Sequence, residues 1–108
     1  MTDLTLNEYQ SAALSTAIYP RNPQTARVYT ALGLASEAGE YAGKVKKSIR
    51  DAYFSREEAA AELGEVLWYV AAAADAIGFT MSQLAEENLA KLADRKARNK
   101  IAGSGDER

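Results

Sequence analysis

The chain predicts an all-α fold, a four-helix bundle-like domain, and three observations carry that expectation. Three segments open with helix-capping boxes: Thr5-Leu6-Asn7-Glu8, Ser55-Arg56-Glu57-Glu58 and Thr80-Met81-Ser82-Gln83. In such a box a Ser or Thr accepts from the amide three residues on, and a Glu or Gln reaches back. Apolar residues then follow at helical spacing, while strand signals are weak throughout and alanine is abundant. Pro20 and Pro23 are the only prolines, so nothing interrupts the long segments after them. At 108 residues and 47% hydrophobic content the chain is ordered and long enough for one core. Residues 1–101 are expected to form a single domain, with 102–108 as a tail of loop composition.

The first helix is expected from about Leu6 to Ile18. Tyr9, Ala13 and Ala17 form its stripe, with Ala12 beside it. Tyr19-Pro20-Arg21-Asn22-Pro23 ends it, because proline disfavours helical geometry in the residue before it. The second helix is expected from about Thr25 to Ile49, with Val28, Leu32, Ala35 and Gly39 facing one way. Gly33, Gly39 and Gly43 each cost roughly 1 kcal/mol against alanine in a helix. Three in one helix point to close approach by a backbone or ligand, with tight helix packing as the plain explanation. Residues 50–54 connect to a third helix that Ser55 caps and that runs to about Ile77, with Leu63, Val66, Leu67 and Val70 as its core stripe. Gly78 is placed just beyond its end, where a left-handed residue is common. The fourth helix runs to about Arg98 with Leu84 or Ala85, Asn88, Leu89 and Leu92 in line. Several helices are apolar on more than one side, which favours an oligomer whose helices share a core between two chains.

Composition excludes several function classes. Net charge is −2, so there is no strong electrostatic case for nucleic acid or an anionic membrane. There is no apolar run of about 18 residues and no signal-peptide pattern at the N-terminus, so a cytoplasmic setting is the expectation. Cysteine and histidine are both absent, which removes disulfides, thiol nucleophiles, zinc fingers and imidazole-dependent triads. Any metal site must use oxygen ligands, which suit magnesium, manganese or calcium.

The chemistry concentrates between residues 33 and 69. Glu37 with Glu40, and Glu62 with Glu65, are spaced three apart, so each pair shares a helix face. Two such helices facing each other aim four carboxylates at one small volume, where they repel unless a divalent cation reverses the sign. Lys44 and Lys47 continue the first face, and Glu58 and Tyr69 extend the second. Trp68 follows Glu65 by three residues. On the fourth helix Asn88, Lys91 and Arg95 share a face. Carboxylates with basic residues beyond them fit a metal–triphosphate site. Spacing alone fits solvated faces equally well, with Glu40 and Lys44 as an ordinary pair one turn apart and Trp68 and Tyr69 as core. The crowding of Leu63, Val66, Leu67 and Val70 around Glu62 and Glu65 leans against full exposure.

Three segments carry a family resemblance. These are Leu34-Ala35-Ser36-Glu37-Ala38-Gly39-Glu40, Glu62-Leu63-Gly64-Glu65-Val66-Leu67-Trp68-Tyr69 and Asn88-Leu89-Ala90-Lys91-Leu92-Ala93-Asp94-Arg95. Together they resemble the MazG-like nucleotide pyrophosphohydrolases, over nearly the whole chain. The resemblance implies an all-α domain assembled as a homodimer or homotetramer. It implies hydrolysis of a nucleoside triphosphate between the α and β phosphates, with magnesium as the ion and manganese as a substitute. Glu37, Glu40 and Glu62 match three of the family's metal ligands. Lys44, Lys47, Lys91 and Arg95 sit where basic residues would hold phosphates, and Asn88 and Trp68 where a nucleoside would be contacted. There is one departure: the fourth family ligand is Asp, and here it is Glu65, one methylene longer. Two alternatives stay open, a narrow dUTP, dCTP or phosphoribosyl-ATP hydrolase and a non-enzymatic helical module that binds nucleotide or metal.

Overall fold

The computed structural model describes residues 3–108; Met1 and Thr2, at the start of the expected domain, lie outside the described residues. These hold four helices and no strand: α1 Leu6–Leu14, α2 Pro23–Asp51, α3 Arg56–Ala76 and α4 Met81–Ala97. No single helix is long and apolar enough to cross a membrane.

The helix ends follow local chemistry. The boxes at Thr5 and Thr80 form in both directions, with Glu8 and Gln83 reaching back. At Ser55 only half the expected box forms: its hydroxyl accepts the Glu58 amide at 3.1 Å. α1 stops four residues short of Ile18. The Ser15 and Thr16 amides turn to carbonyls three residues back, and their hydroxyls donate to Ala12 O at 2.6 Å and Ala13 O at 2.7 Å. Such local bonds tighten the last turn and compete with the helix. α2 begins earlier than expected because Pro23 opens it, with Asn22 Oδ1 accepting the Thr25 amide at 3.0 Å. Proline at a first helical position loses no bond and brings its φ pre-set. Gly78, at φ 82°, lies just past α3, as the sequence predicts.

The core is built from small side chains. Ala13, Ala71 and Met81 pack with Tyr9, Trp68 and Val70, while Tyr19, Ala26 and Ala72 pack with Leu14, Ala17 and Ala76. Gln10 is buried and locks three elements. Its Nε2 donates to Ala71 O and Phe79 O at 3.1 Å each, and its Oε1 accepts the Met81 amide at 3.1 Å. Asn7 Oδ1 accepts the Ser82 amide at 3.0 Å. The first turn of α4 is thereby fastened to α1 and α3.

Beyond that turn the arrangement departs from a closed bundle. Among the described residues α4 touches α1 and α3 but not α2. The stripes expected as core are therefore left uncovered by their own chain. Val28 is 56% exposed, Leu32 67% and Leu89 65%, with Leu63, Leu67 and Leu92 also open. The radius of gyration is 16.4 Å, against about 13 Å for a compact domain of this length.

Candidate active site

α2 and α3 form an antiparallel hairpin joined by a short turn, and one glycine fixes its register. A Cβ at Gly33 would lie 2.1 Å from the Tyr69 ring, so only glycine lets that ring cross α2. Gly39 and Gly43, also expected at close approaches, meet nothing within 4 Å among the described residues. One turn on from the Gly33–Tyr69 contact, Glu37 comes level with Glu65. The next step brings Glu40 level with Glu62, and one more turn brings Lys44 level with Glu58.

The electrostatics agree with that register. Glu37 is held above the ordinary carboxylate range, first by desolvation, then by Glu65, Glu62 and Glu40 in that order. Tyr69 is pushed up by burial, by the Tyr29 hydroxyl beside it, and by Glu37 and Glu65. Tyr9 is pushed up by burial and by Glu65. Glu37 thus feels the other three carboxylates of the hairpin as well as the solvent. Among the described residues no three acidic side chains converge closely enough to grip one ion. The donors themselves, four carboxylates on facing turns, fit a hard divalent cation.

Two cavities open on this quartet from opposite ends. One, about 260 Å³, is lined by Glu40 and Glu62 together with Lys44, Lys47, Glu58 and the aromatic pair Tyr53 and Phe54. The other, about 420 Å³, is lined by Glu37 and Glu65 together with Tyr19, Tyr29, Trp68 and Tyr69. The aromatic rings in the second cavity form a connected set. Tyr19 stacks on Tyr29 at 4.8 Å, and Trp68 meets Tyr69 edge-on at 4.9 Å and Tyr19 at 6.4 Å. Trp68 Nε1 donates to Ala13 O at 3.2 Å and Thr16 Oγ1 at 3.0 Å, so its polar edge is already engaged. Tyr19 and Tyr29 were not distinguishable as site residues in the sequence. The signal that could have found Tyr29 is its place two turns before Glu37 on one face of α2.

The fourth-helix residues lie elsewhere. Asn88 is exposed, and none of Asn88, Lys91 and Arg95 lines either cavity among the described residues. Arg95 and Lys91 instead bind the carboxylate of Asp106, with Nη2 at 3.0 Å and Nζ at 2.9 Å. Glu40 and Lys44 form no ion pair among the described residues, which leaves both free to face the cavity they line.

Comparison with known proteins places this geometry. A relative, the Gene 37 protein of Mycobacterium phage L5, is 44% identical over 109 residues, covering 93% of this chain and 96% of its own. No solved structure matches. Residues 25–99, which span α2, α3 and α4 and hold all four glutamates, match the MazG nucleotide pyrophosphohydrolase domain. The chain belongs to the MazG nucleotide pyrophosphohydrolase family.

Proposed function

We propose that this chain is a magnesium-dependent nucleoside triphosphate pyrophosphohydrolase that releases monophosphate and pyrophosphate. The observation that carries the reading is an order along one hairpin: aromatic rings, then four carboxylates, then two lysines. A nucleoside triphosphate has the same order of base, phosphoanhydride and terminal charge. With a rise of about 1.5 Å per residue, Lys44 and Lys47 lie roughly 6 and 10 Å beyond Glu40 along the axis, within reach of β and γ phosphates.

The roles follow from the positions. Glu37, Glu40, Glu62 and Glu65 would hold the ion, which when bound supplies charge neutralisation and polarisation at the phosphate oxygens. Glu65 reaches one methylene further than the Asp it replaces, and magnesium's strict octahedral preference makes that the weakest ligand of the set. A water that gives its proton to a glutamate carboxylate not engaged by the ion attacks the α phosphorus. That attack breaks the bond to the bridging oxygen, and pyrophosphate leaves. Lys44 and Lys47 balance its charge. Tyr29, Tyr69 and the face of Trp68 stack against the base.

The active form is proposed as a homodimer or homotetramer. The open apolar face that Val28 and Leu32 make on α2, with Leu89 open on α4, is proposed to be covered by another chain. A second copy covering it would also be the source of Asn88, Lys91 and Arg95 for the cleft. The test is ³¹P NMR of product from a panel of nucleoside triphosphates, with magnesium or manganese. Monophosphate and pyrophosphate together are expected, and the ranking names the base. Orthophosphate as product would contradict cleavage between α and β. No release at all, with a metal-dependent melt intact, would leave a binding module.

A further inference from the structure

The last ten residues, which composition marks only as loop, form a hook that turns back onto α4. Asn99, at φ 60°, breaks the helix, and the Lys100 amide returns to Arg95 O at 2.7 Å. Gly105, at φ 82°, makes the second turn. At Gly103 a Cβ would lie 2.7 Å from Arg108 Cδ, so glycine is what lets the Arg108 side chain cross. The end is fastened by Arg98 Nη2, which donates to Arg108 O at 2.8 Å, and by Arg108 donating to Gly105 O.

The hook delivers one carboxylate to two cations. Asp106 accepts from Lys91 Nζ at 2.9 and 3.1 Å and from Arg95 Nη2 at 3.0 Å. Its backbone carbonyl accepts a second bond from Arg95 Nη2 at 2.8 Å. The Arg95 side chain is only 8% exposed, whereas that of Asp106 is 73% exposed. Arg95 is therefore held from within, while Lys91, its side chain 40% exposed, and the carboxylate meet solvent. Asp106 is also held below the usual carboxylate range, by the Lys91 bond first and then by Arg95.

We propose that Asp106 is a built-in competitor that occupies the Lys91–Arg95 oxyanion site until a phosphate group displaces it. This rests on the reading of Lys91 and Arg95 as phosphate ligands. The Lys91–Asp106 pair, exposed on both sides, is of the weak and exchangeable kind. A phosphate brings more charge and more acceptor oxygens than one carboxylate, so it replaces the carboxylate on the same donors.

The test uses the full chain and inorganic tripolyphosphate as probe. Calorimetry compares wild type with Asp106→Asn and Lys91→Ala, each checked by thermal melt. Asp106→Asn is expected to bind about three- to tenfold tighter than wild type, and Lys91→Ala weaker. Hydrogen exchange of the amides of residues 103–107 in wild type is expected to quicken on adding tripolyphosphate. Unchanged or weaker binding by Asp106→Asn, or slowed exchange in the hook, would overturn the proposal and make Asp106 a holder of the two cations. Absence of binding by wild type and variant alike would overturn it too. These readouts are independent of turnover. A chain that hydrolyses nothing yet shows the gain keeps the competitor and loses the hydrolase, and a chain that hydrolyses without the gain does the reverse.

Discussion

The α2–α3 hairpin and the α4–hook region are built on opposite principles. The hairpin brings like charges onto facing turns, and Glu37 is pushed up by desolvation first and then by Glu65, Glu62 and Glu40. The hook pairs unlike charges, and Asp106 is pulled down by Lys91 and Arg95. In the reading proposed above, a cation would relieve the repulsion in the hairpin, whereas the hook has its charges paired internally; the two differ in the sign of their perturbation.

The comparison breaks most sharply at the quartet. Glu40→Gln or Glu62→Gln should cut pyrophosphate release at least about a hundredfold, because each removes a proposed ligand. The same variants should melt no lower than wild type, since each also removes a repelling charge. A comparable fall in melting temperature would reassign the glutamates to structure.

A loss of stability, rather than of chemistry, is expected where α4 is fastened. Gln10→Ala removes the side-chain partner of the buried Met81 amide and of the Phe79 carbonyl, at a cost of about 2–3 kcal/mol. That is roughly 10 °C or more in Tm for a domain of this size. Thermal melting followed by circular dichroism reads it directly.

Two glycines sharpen the account of register. Gly33→Ala drives a methyl group into the Tyr69 ring and should destabilise by about 1–3 kcal/mol. Gly39→Ala meets no atom of its own chain and should stabilise by up to about 1 kcal/mol. Denaturant midpoints compare them, and equal shifts would refute the register. Destabilisation at Gly39 would place a second copy against that face.

Acid should act on the two regions in opposite directions, and this is the smallest effect. Glu37 has a folded-state pKa above its unfolded value, so the folded state binds its proton more tightly. Its ionisation therefore lowers stability as pH rises from the ordinary carboxylate value through the raised one. Asp106 has a folded-state pKa below its unfolded value. Its contribution is present above the ordinary value and is lost as pH falls through the lowered one. Denaturation of Glu37→Gln and Asp106→Asn against wild type across the carboxylate range should show slopes that differ from wild type with opposite sign. Added magnesium should raise Tm and suppress the Glu37 term.

The helices were legible because their signals are local. Thr5, Asn22, Ser55 and Thr80 each cap a helix, though Asn22 was read only as part of the stop before it. That each glutamate pair shares one helix face was legible from spacing, since the three-residue step survives any packing. The aromatic cavity was not, because Tyr19 reaches Tyr29 and Trp68 only through tertiary contact. Leu32 and Leu89 carry a core pattern yet lie open in one chain, since periodicity says which face is apolar but not what covers it. Asp106 was invisible for a different reason: its partners are ten or more residues away, across turns at Asn99 and Gly105, both at positive φ.

The central claim is that the carboxylates of the hairpin and the cations of α4 serve one site, supplied by different copies. Mixing Glu40→Gln with Lys91→Ala protein tests it most directly. Each parent should release little pyrophosphate alone, and after subunit exchange activity should return in proportion to the mixed assemblies. If mixed assemblies form and activity stays at the parental level, the two regions do not share a site and the account fails at its centre.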